Sequence, residues 1–437
     1  MIPFSILGIV LGLVILVVLS MRGFSVFISA IAASIAIALC SGISLQQAVL
    51  TDFMGGFVGF IQGNFMVFAA GALMGKAYEM TNGAKAVARL FIKLFGQRFA
   101  PYAVLAAIWV MTGGGIAGFV LAFSVFPIAL EVFREANLPR NIIPGLIIAG
   151  CCTASSWGAG VAQPVNSVMA NGFGISLMAA AVPSFIMMAA AMATSFIVMA
   201  FLFKKAKANG EGFIAGPNDP SDEGVEIPNG WVALIPLIVA VLLINVKING
   251  APILPTAFGI FVGAVLAVLL MRNNITKGQS IATNMGQGFT NALTSIGNTA
   301  AMVAVGSVAR ATIGFAAVLE GVTGMGGNPL ISATITALII SSITGGATGA
   351  VGLVAPLLTP IYTSMGANLE MIGRIVSSAG HIGGLLPNGG FVNTTITGIA
   401  QDTYKNCWTN VFLLSTFANI VATIVGIIVM TVMGVYV

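Results

Sequence analysis

The chain has 437 residues, of which 58% are hydrophobic and only 7% charged, with a mean hydropathy of +1.05 and a formal net charge of +5. A water-soluble globule of this length cannot bury so much apolar surface, so the composition excludes one and indicates an integral membrane protein. The positive balance, which in a soluble protein could point to nucleic acid, here follows Lys and Arg residues placed in short loops between apolar spans.

In chain order, apolar stretches of about 20 residues, enough to cross a hydrocarbon core of roughly 30 Å as helices, lie first at 4–20, 24–40 and 57–75. The first is read as a mature helix and not a signal peptide, because a second span follows at once and no small-residue cleavage site intervenes. Residues 101–130 begin and end beside basic residues, so they read as a re-entrant hairpin (about 101–135) with its tip at 112–118. A broken helix over about 140–170 is interrupted at 153–166, and a span at 175–203 completes a first repeat of 1–203. The hydrophilic stretch 204–230, with Pro217, Asp219, Pro220, Asp222, Glu223 and Glu226, reads as a cytoplasmic linker without chemistry of its own. The second repeat, 231–437, has spans at 231–246 and 253–270, a hairpin at about 329–365, a broken helix at about 368–403 interrupted at 381–393, and a last span at 411–435.

The division into repeats rests on one backbone pattern that occurs twice. Gly63-Asn64, Thr112-Gly113-Gly114-Gly115-Ile116-Ala117-Gly118 and Gln163-Pro164-Val165-Asn166 in the first half match Gly297-Asn298, Thr344-Gly345-Gly346-Ala347-Thr348-Gly349 and Leu386-Pro387-Asn388-Gly389 in the second. Glycine and proline breaks at matching places inside apolar segments mark a transporter whose site lies between inverted repeats. The charge rule agrees. Placing Arg22, Lys76, Lys85, Arg89, Lys93, Arg98, Arg134, Arg140, Lys204, Lys205, Lys207, Arg272, Lys277 and Lys405 in the cytoplasm puts both termini outside. Each half then has five crossings plus one hairpin, and the odd number inverts the second half. The expected fold is an all-α polytopic membrane protein with scaffold and transport domains.

Backbone outside a helix is tolerated in lipid only where protein or an aqueous cavity satisfies it, so the four breaks are the candidate site. Free N–H groups of a half-helix can bind a carboxylate, and free carbonyls can bind a cation. The alternative for any isolated glycine is close helix packing. Candidate substrate-binding residues are Thr112, Gly113, Gly114, Ser155, Ser156, Gln163, Asn166, Thr344, Gly345, Gly346, Ser378, Pro387, Asn388 and Asn393. Their neutral donors and acceptors suit a hydroxylated substrate. Asn166 and Asn388 stand at equivalent places, two residues and one residue after the matched prolines.

His381, the one histidine, could couple proton entry to binding or make a structural hydrogen bond as a neutral ring. Asp52 and Glu79 flank a span as proton-relay candidates. Arg310 could pair with a substrate carboxylate or anchor a helix at the membrane boundary. Cys40, Cys151, Cys152 and Cys407 lack metal-ligand spacing and read as core residues. No P-loop, catalytic carboxylate pair or histidine-rich metal motif is present, so an enzyme, a metal site and ATP-driven transport are not expected, and no cofactor beyond a coupling proton or sodium ion.

Residues 118–130 (Gly-Phe-Val-Leu-Ala-Phe-Ser-Val-Phe-Pro-Ile-Ala-Leu) with 133–140, Asn328-Pro329-Leu330, Thr344-Gly345, Leu386-Pro387-Asn388-Gly389 and Tyr404-Lys405 resemble the gluconate permease (GntP) family over nearly the whole chain. The resemblance implies a multi-pass protein of the bacterial inner membrane within the ion transporter superfamily. It also implies a symporter of sugar acids or short hydroxy acids such as gluconate or hydroxybutyrate, usually with protons, moving by an elevator mechanism and forming a homodimer through its scaffold. Sodium-coupled carboxylate transport on the same scaffold, a passive facilitator and a lipid-modifying enzyme are the competing readings. The expected partners are a small organic anion and the lipid bilayer, with no nucleic acid.

Overall fold

The computed structural model describes residues 2–113, 118–161, 163–217, 219, 226–248, 251–275, 280–324 and 327–435. The described chain is helical apart from an antiparallel pair of two-residue strands, Lys247–Ile248 and Ala251–Pro252. The first half contains α1 (Ile2–Met21), α2 (Val26–Ser41), α3 (Met54–Met80), α4 (Gly83–Gly113), α5 (Gly118–Glu135), α6 (Ile143–Cys151), α7 (Ala154–Trp157), α8 (Pro164–Phe173) and α9 (Ala181–Ala208). The second contains α10 (Gly230–Asn245), α11 (Thr256–Leu270), α12 (Ile281–Arg310), α13 (Ile313–Thr323), α14 (Pro329–Thr344), α15 (Ala347–Ser364), α16 (Leu369–Gly384), α17 (Gly390–Asn393), α18 (Tyr404–Val411) and α19 (Phe417–Met433). π-Helical turns, which often mark functional positions, precede α3 (Gln46–Phe53), follow α17 (Thr394–Ile399) and join α18 to α19 (Phe412–Thr416).

Local sequence sets several of these boundaries. The Asn328 side chain accepts from Leu330 N–H, with Pro329 at the first helical position, and so starts α14. Asn368 starts α16 in the same way by accepting from Glu370 and Met371. Gly96 (φ +75°) kinks α4, so that the stretch ending at Gly113 runs as a separate arm.

Six helices among the described residues are long and apolar enough to cross a membrane. Burial sorts them into outer and inner helices. α1, with a hydropathy of 3.0, is only 28% buried, whereas α12, with 1.4, is 72% buried. Of these two helices the less apolar one lies further inside, because lipid accepts the apolar faces and protein must surround the polar ones. Phe4, Leu7, Val10 and Val14 on α1 and Val182, Phe185, Ile197 and Phe201 on α9 point outward.

The halves interlock by exchanged pairs. α1 packs on α13 and α10 on α4; α2 packs on α12 and α11 on α3; α3 and α12 cross at the centre. One apolar core gathers around α14, α15 and α16, and a second around α4, α5 and α6.

Candidate functional site

Each interrupted helix is tied to the hairpin of its own half. Gln163, just before α8, donates from Nε2 to the Thr112 carbonyl at the end of α4 (2.6 Å). Asn388 Nδ2, in the turn between α16 and α17, donates to the Ser342 carbonyl near the end of α14 (2.6 Å), and Gly390 N–H donates to Gly345 O (3.2 Å). A helix C-terminus leaves its last carbonyls without intrahelical donors, and here the interruptions supply them. Gly345 ends α14 in the left-handed region (φ +70°), and an added Cβ would stand 3.0 Å from the Asn388 carbonyl, so the tip requires glycine on both counts.

The halves are then joined to each other. His381 on α16, buried, has Nδ1 2.8 Å from Ser377 O and Nε2 2.8 Å from Ser156 Oγ on α7. A carbonyl can only accept, so Nδ1 carries a hydrogen, and in the neutral ring Nε2 accepts the Ser156 hydroxyl. Phe119, next to the first hairpin tip, meets Phe391 beside the second interruption edge to face at 5.0 Å. All four breaks are thereby connected.

Arg374, also on α16, extends the joint and is not among the candidates read from the sequence. Its guanidinium has no exposure. Nη1 donates to the Trp157 carbonyl and to Asn166 Oδ1 (3.0 Å), and Nη2 donates to Leu177 O and Ala179 O (3.0 Å each). One second-half side chain thus caps the end of α7, holds the first turn of α8 and fixes the approach to α9. The bonds Trp157 Nε1 to Asn419 Oδ1 (2.8 Å) and Asn419 Nδ2 to Cys152 O (3.0 Å) add α19 to the same network. The sequence does carry a signal for it: a lone arginine inside a run of small and apolar residues between loops.

The remaining candidates fall into two groups. Asn166 lies fully inside, its Nδ2 donating to Gly158 O (2.8 Å) and Val161 O (3.0 Å) while Oδ1 accepts from Arg374, so both its donors serve the protein. Ser155 Oγ donates to Gly150 O (2.6 Å), and Ser378 Oγ pairs with Thr423 Oγ1 (3.0 Å). Thr344, Gly346 and Pro387 lie at the second tip and interruption, and Gly113 ends α4. Asn393 accepts from Thr397 Oγ1 (3.0 Å) and Tyr404 OH (3.4 Å), while its Nδ2 is buried without a partner among the described residues, as is Ser377 Oγ. Gly114 lies outside the described residues.

The second group lies on or beside α3 and α12. Asp52 sits in the π-helical turn before α3, bonded to Gln47 Nε2 (3.0 Å). Glu79, at the end of α3, pairs with Lys76 (2.7 Å). Arg310 is exposed at the end of α12 and donates to Ser307 Oγ (2.9 Å).

No protein-family model matches the chain. It is similar to an uncharacterized transporter, YxjC, of Bacillus subtilis (strain 168), at 26% identity over 93% of this chain and 95% of that protein. It is also similar to low-affinity gluconate transporters of Escherichia coli strains K12 and O157:H7, at 25% identity over 92% of both partners. The resemblance read from the breaks and helix ends thus extends through related proteins along nearly the whole chain, whose homologues are membrane transporters of the gluconate permease family.

Proposed function

We propose that the protein is a secondary active symporter that imports a small organic anion, a sugar acid or short hydroxy monocarboxylate, together with a proton. The observation that carries this reading is the convergence of the four helix breaks. Two hairpin ends and two interruptions, drawn from both halves, are bonded into one network rich in neutral donors and acceptors. Such discontinuous helices place free backbone dipoles where a carboxylate and its hydroxyls need them. Arg374 adds a buried positive charge that favours an anion over a neutral polyol.

In this reading the halves are inverted repeats, supported by the exchanged packing of α1 on α13 with α10 on α4. The hairpins are re-entrant, and the interrupted helices move with them against the crossing helices α3 and α12 in an elevator-type step. His381 carries the coupling proton. Its Nε2 holds a lone pair on the Ser156 hydroxyl, so protonation reverses one cross-half bond and biases the two conformations. The bacterial inner membrane and a homodimer complete the proposal.

Reconstituted protein tests it directly. Liposomes are given labelled gluconate, lactate, 3-hydroxybutyrate, glycerate and citrate under an inward proton gradient, and separately under a sodium gradient. Accumulation of a monocarboxylate with the proton gradient alone is the expected result. Sodium-only accumulation replaces the coupling ion, equilibration without accumulation makes the protein a facilitator, and uptake of no anion removes the reading.

A further inference from the structure

A cavity of about 510 Å³ lies between α3, α5, α12 and the π-helical turn after α17, within the range of about 300–1,000 Å³ usual for small-molecule sites. Its wall includes Lys76 and Glu79 from α3, Phe123 and Pro127 from α5, Asn291 from α12 and Gly398 from the turn. Apart from Glu79, none of the site residues marked in the sequence lines it. The cavity is therefore distinct from the bonded network of the breaks.

The corresponding place at the other end of the repeat is filled. There α8 of the first half packs directly on α15 of the second: a Cβ at Gly172 would meet the Ala355 side chain, and Thr359 Oγ1 donates to the Gly172 carbonyl (3.1 Å). Phe53 and Phe57, which the repeat pattern places opposite Gln287 and Asn291, stack at 6.3 Å. Equivalent elements are thus closed at one end and parted at the other. The parted end carries Lys76, Lys85 and Arg140, the basic residues that mark the cytoplasmic side.

We infer that this cavity is a cytoplasm-facing vestibule that binds the transported hydroxy acid on its way out of the site, with the protein in its inward-facing state. The inference rests on the two-repeat transporter reading and names a second place where that substrate is held. Lys76, now paired with Glu79 at 2.7 Å, takes the substrate carboxylate in exchange for the glutamate. The neutral amides of Gln287 and Asn291, bonded to each other at 3.0 Å, meet hydroxyls, being able both to donate and to accept. Between vestibule and breaks runs a file of rings. Phe123 meets Phe68 at 5.7 Å, Phe68 meets Phe119 at 4.6 Å, and Phe119 meets Phe391 at 5.0 Å, beside the Pro387–Gly390 turn. The rings separate the vestibule from the second interruption and must part for the solute to pass.

The test is cysteine accessibility in the full-length protein. Asn291→Cys and Gln287→Cys are expressed separately in right-side-out and inside-out membrane vesicles and treated with a membrane-impermeant maleimide, with the unsubstituted protein setting the background from the four native cysteines. Labelling from the cytoplasmic face alone, slowed by millimolar gluconate or by whichever anion the uptake panel selects, is the expected result. Labelling from the outer face, from neither face in protein that still transports, or without any slowing by the transported anion would overturn the inference. Failure of transport itself is seen separately in the uptake assay, because labelling does not depend on turnover.

Discussion

Arg374→Met removes the guanidinium while keeping an unbranched apolar side chain. Four oxygens then lose a donor: the carbonyls of Trp157, Leu177 and Ala179, and Oδ1 of Asn166. The Leu177 carbonyl keeps the Gly160 N–H (3.0 Å), so the other three are left unpaired, and at about 1 kcal/mol for each the loss sums to about 3 kcal/mol. Relief from burying a charge that is bonded to carbonyls, with no carboxylate in salt-bridge contact among the described residues, offsets part of this, leaving a net destabilisation of about 2 kcal/mol. The effect is read as a lower midpoint when the detergent-solubilised protein is heated and its remaining monodisperse fraction measured, together with loss of anion uptake in liposomes. Arg374→Lys should fall between the two proteins, since an ammonium keeps the charge but lacks the planar fork that serves two pairs of oxygens at once. In a double-mutant cycle, Asn166→Ala should cost less in the Arg374→Met background than alone, because the two side chains share a bond. An Arg374→Met protein that melts and transports like the unsubstituted one would refute the clamp.

Three further outcomes are expected. His381→Gln keeps a polar side chain next to Ser156 but cannot titrate, so uptake should lose its dependence on the proton gradient while the protein still folds; an unchanged pH profile would leave the histidine a structural role only. Gly384→Ala places a methyl 2.7 Å from the Ala347 nitrogen at the second tip and should cost about 1–3 kcal/mol along with uptake, whereas Gly349→Ala, which meets nothing within 4 Å, should change neither; equal effects would remove the tight packing of tip and interruption. Asn388→Ala leaves the Ser342 carbonyl without its donor and should lower stability by about 1–3 kcal/mol as well as abolish uptake, which thermal melts and liposome assays on the same preparation would check.

Much of the helical framework is local and legible in the residues. Apolar runs of membrane-spanning length become helices because a backbone in lipid has no other donors, and Asn328, Pro329 and Gly345 mark where α14 begins and ends. The breaks around Gln163-Pro164 and Pro387-Asn388 are legible for the same reason, since proline and glycine cannot continue the ladder. The roles of single side chains at those breaks are not. Asn166 reads in the sequence as an open polar group, yet the fold uses both its donors on Gly158 and Val161. Arg374 stands out in the sequence as a cation inside an apolar run, but its partners do not, because they are carbonyls of residues 157, 177 and 179, and every residue type has a carbonyl.

The sequence by itself therefore determined that this is a polytopic helical membrane protein and where its helices break, because those properties follow from hydropathy and from the φ preferences of glycine and proline over a few neighbouring residues. Only the tertiary structure decided that Gln163 meets Thr112, that His381 meets Ser156 across 225 positions, that Arg374 joins the halves, and that a cavity lies beside α3 and α12. Those pairings depend on which helix faces meet and at what depth. That is settled by the close fit of small residues such as Gly172 against Ala355, a property of two surfaces together that neither segment carries alone.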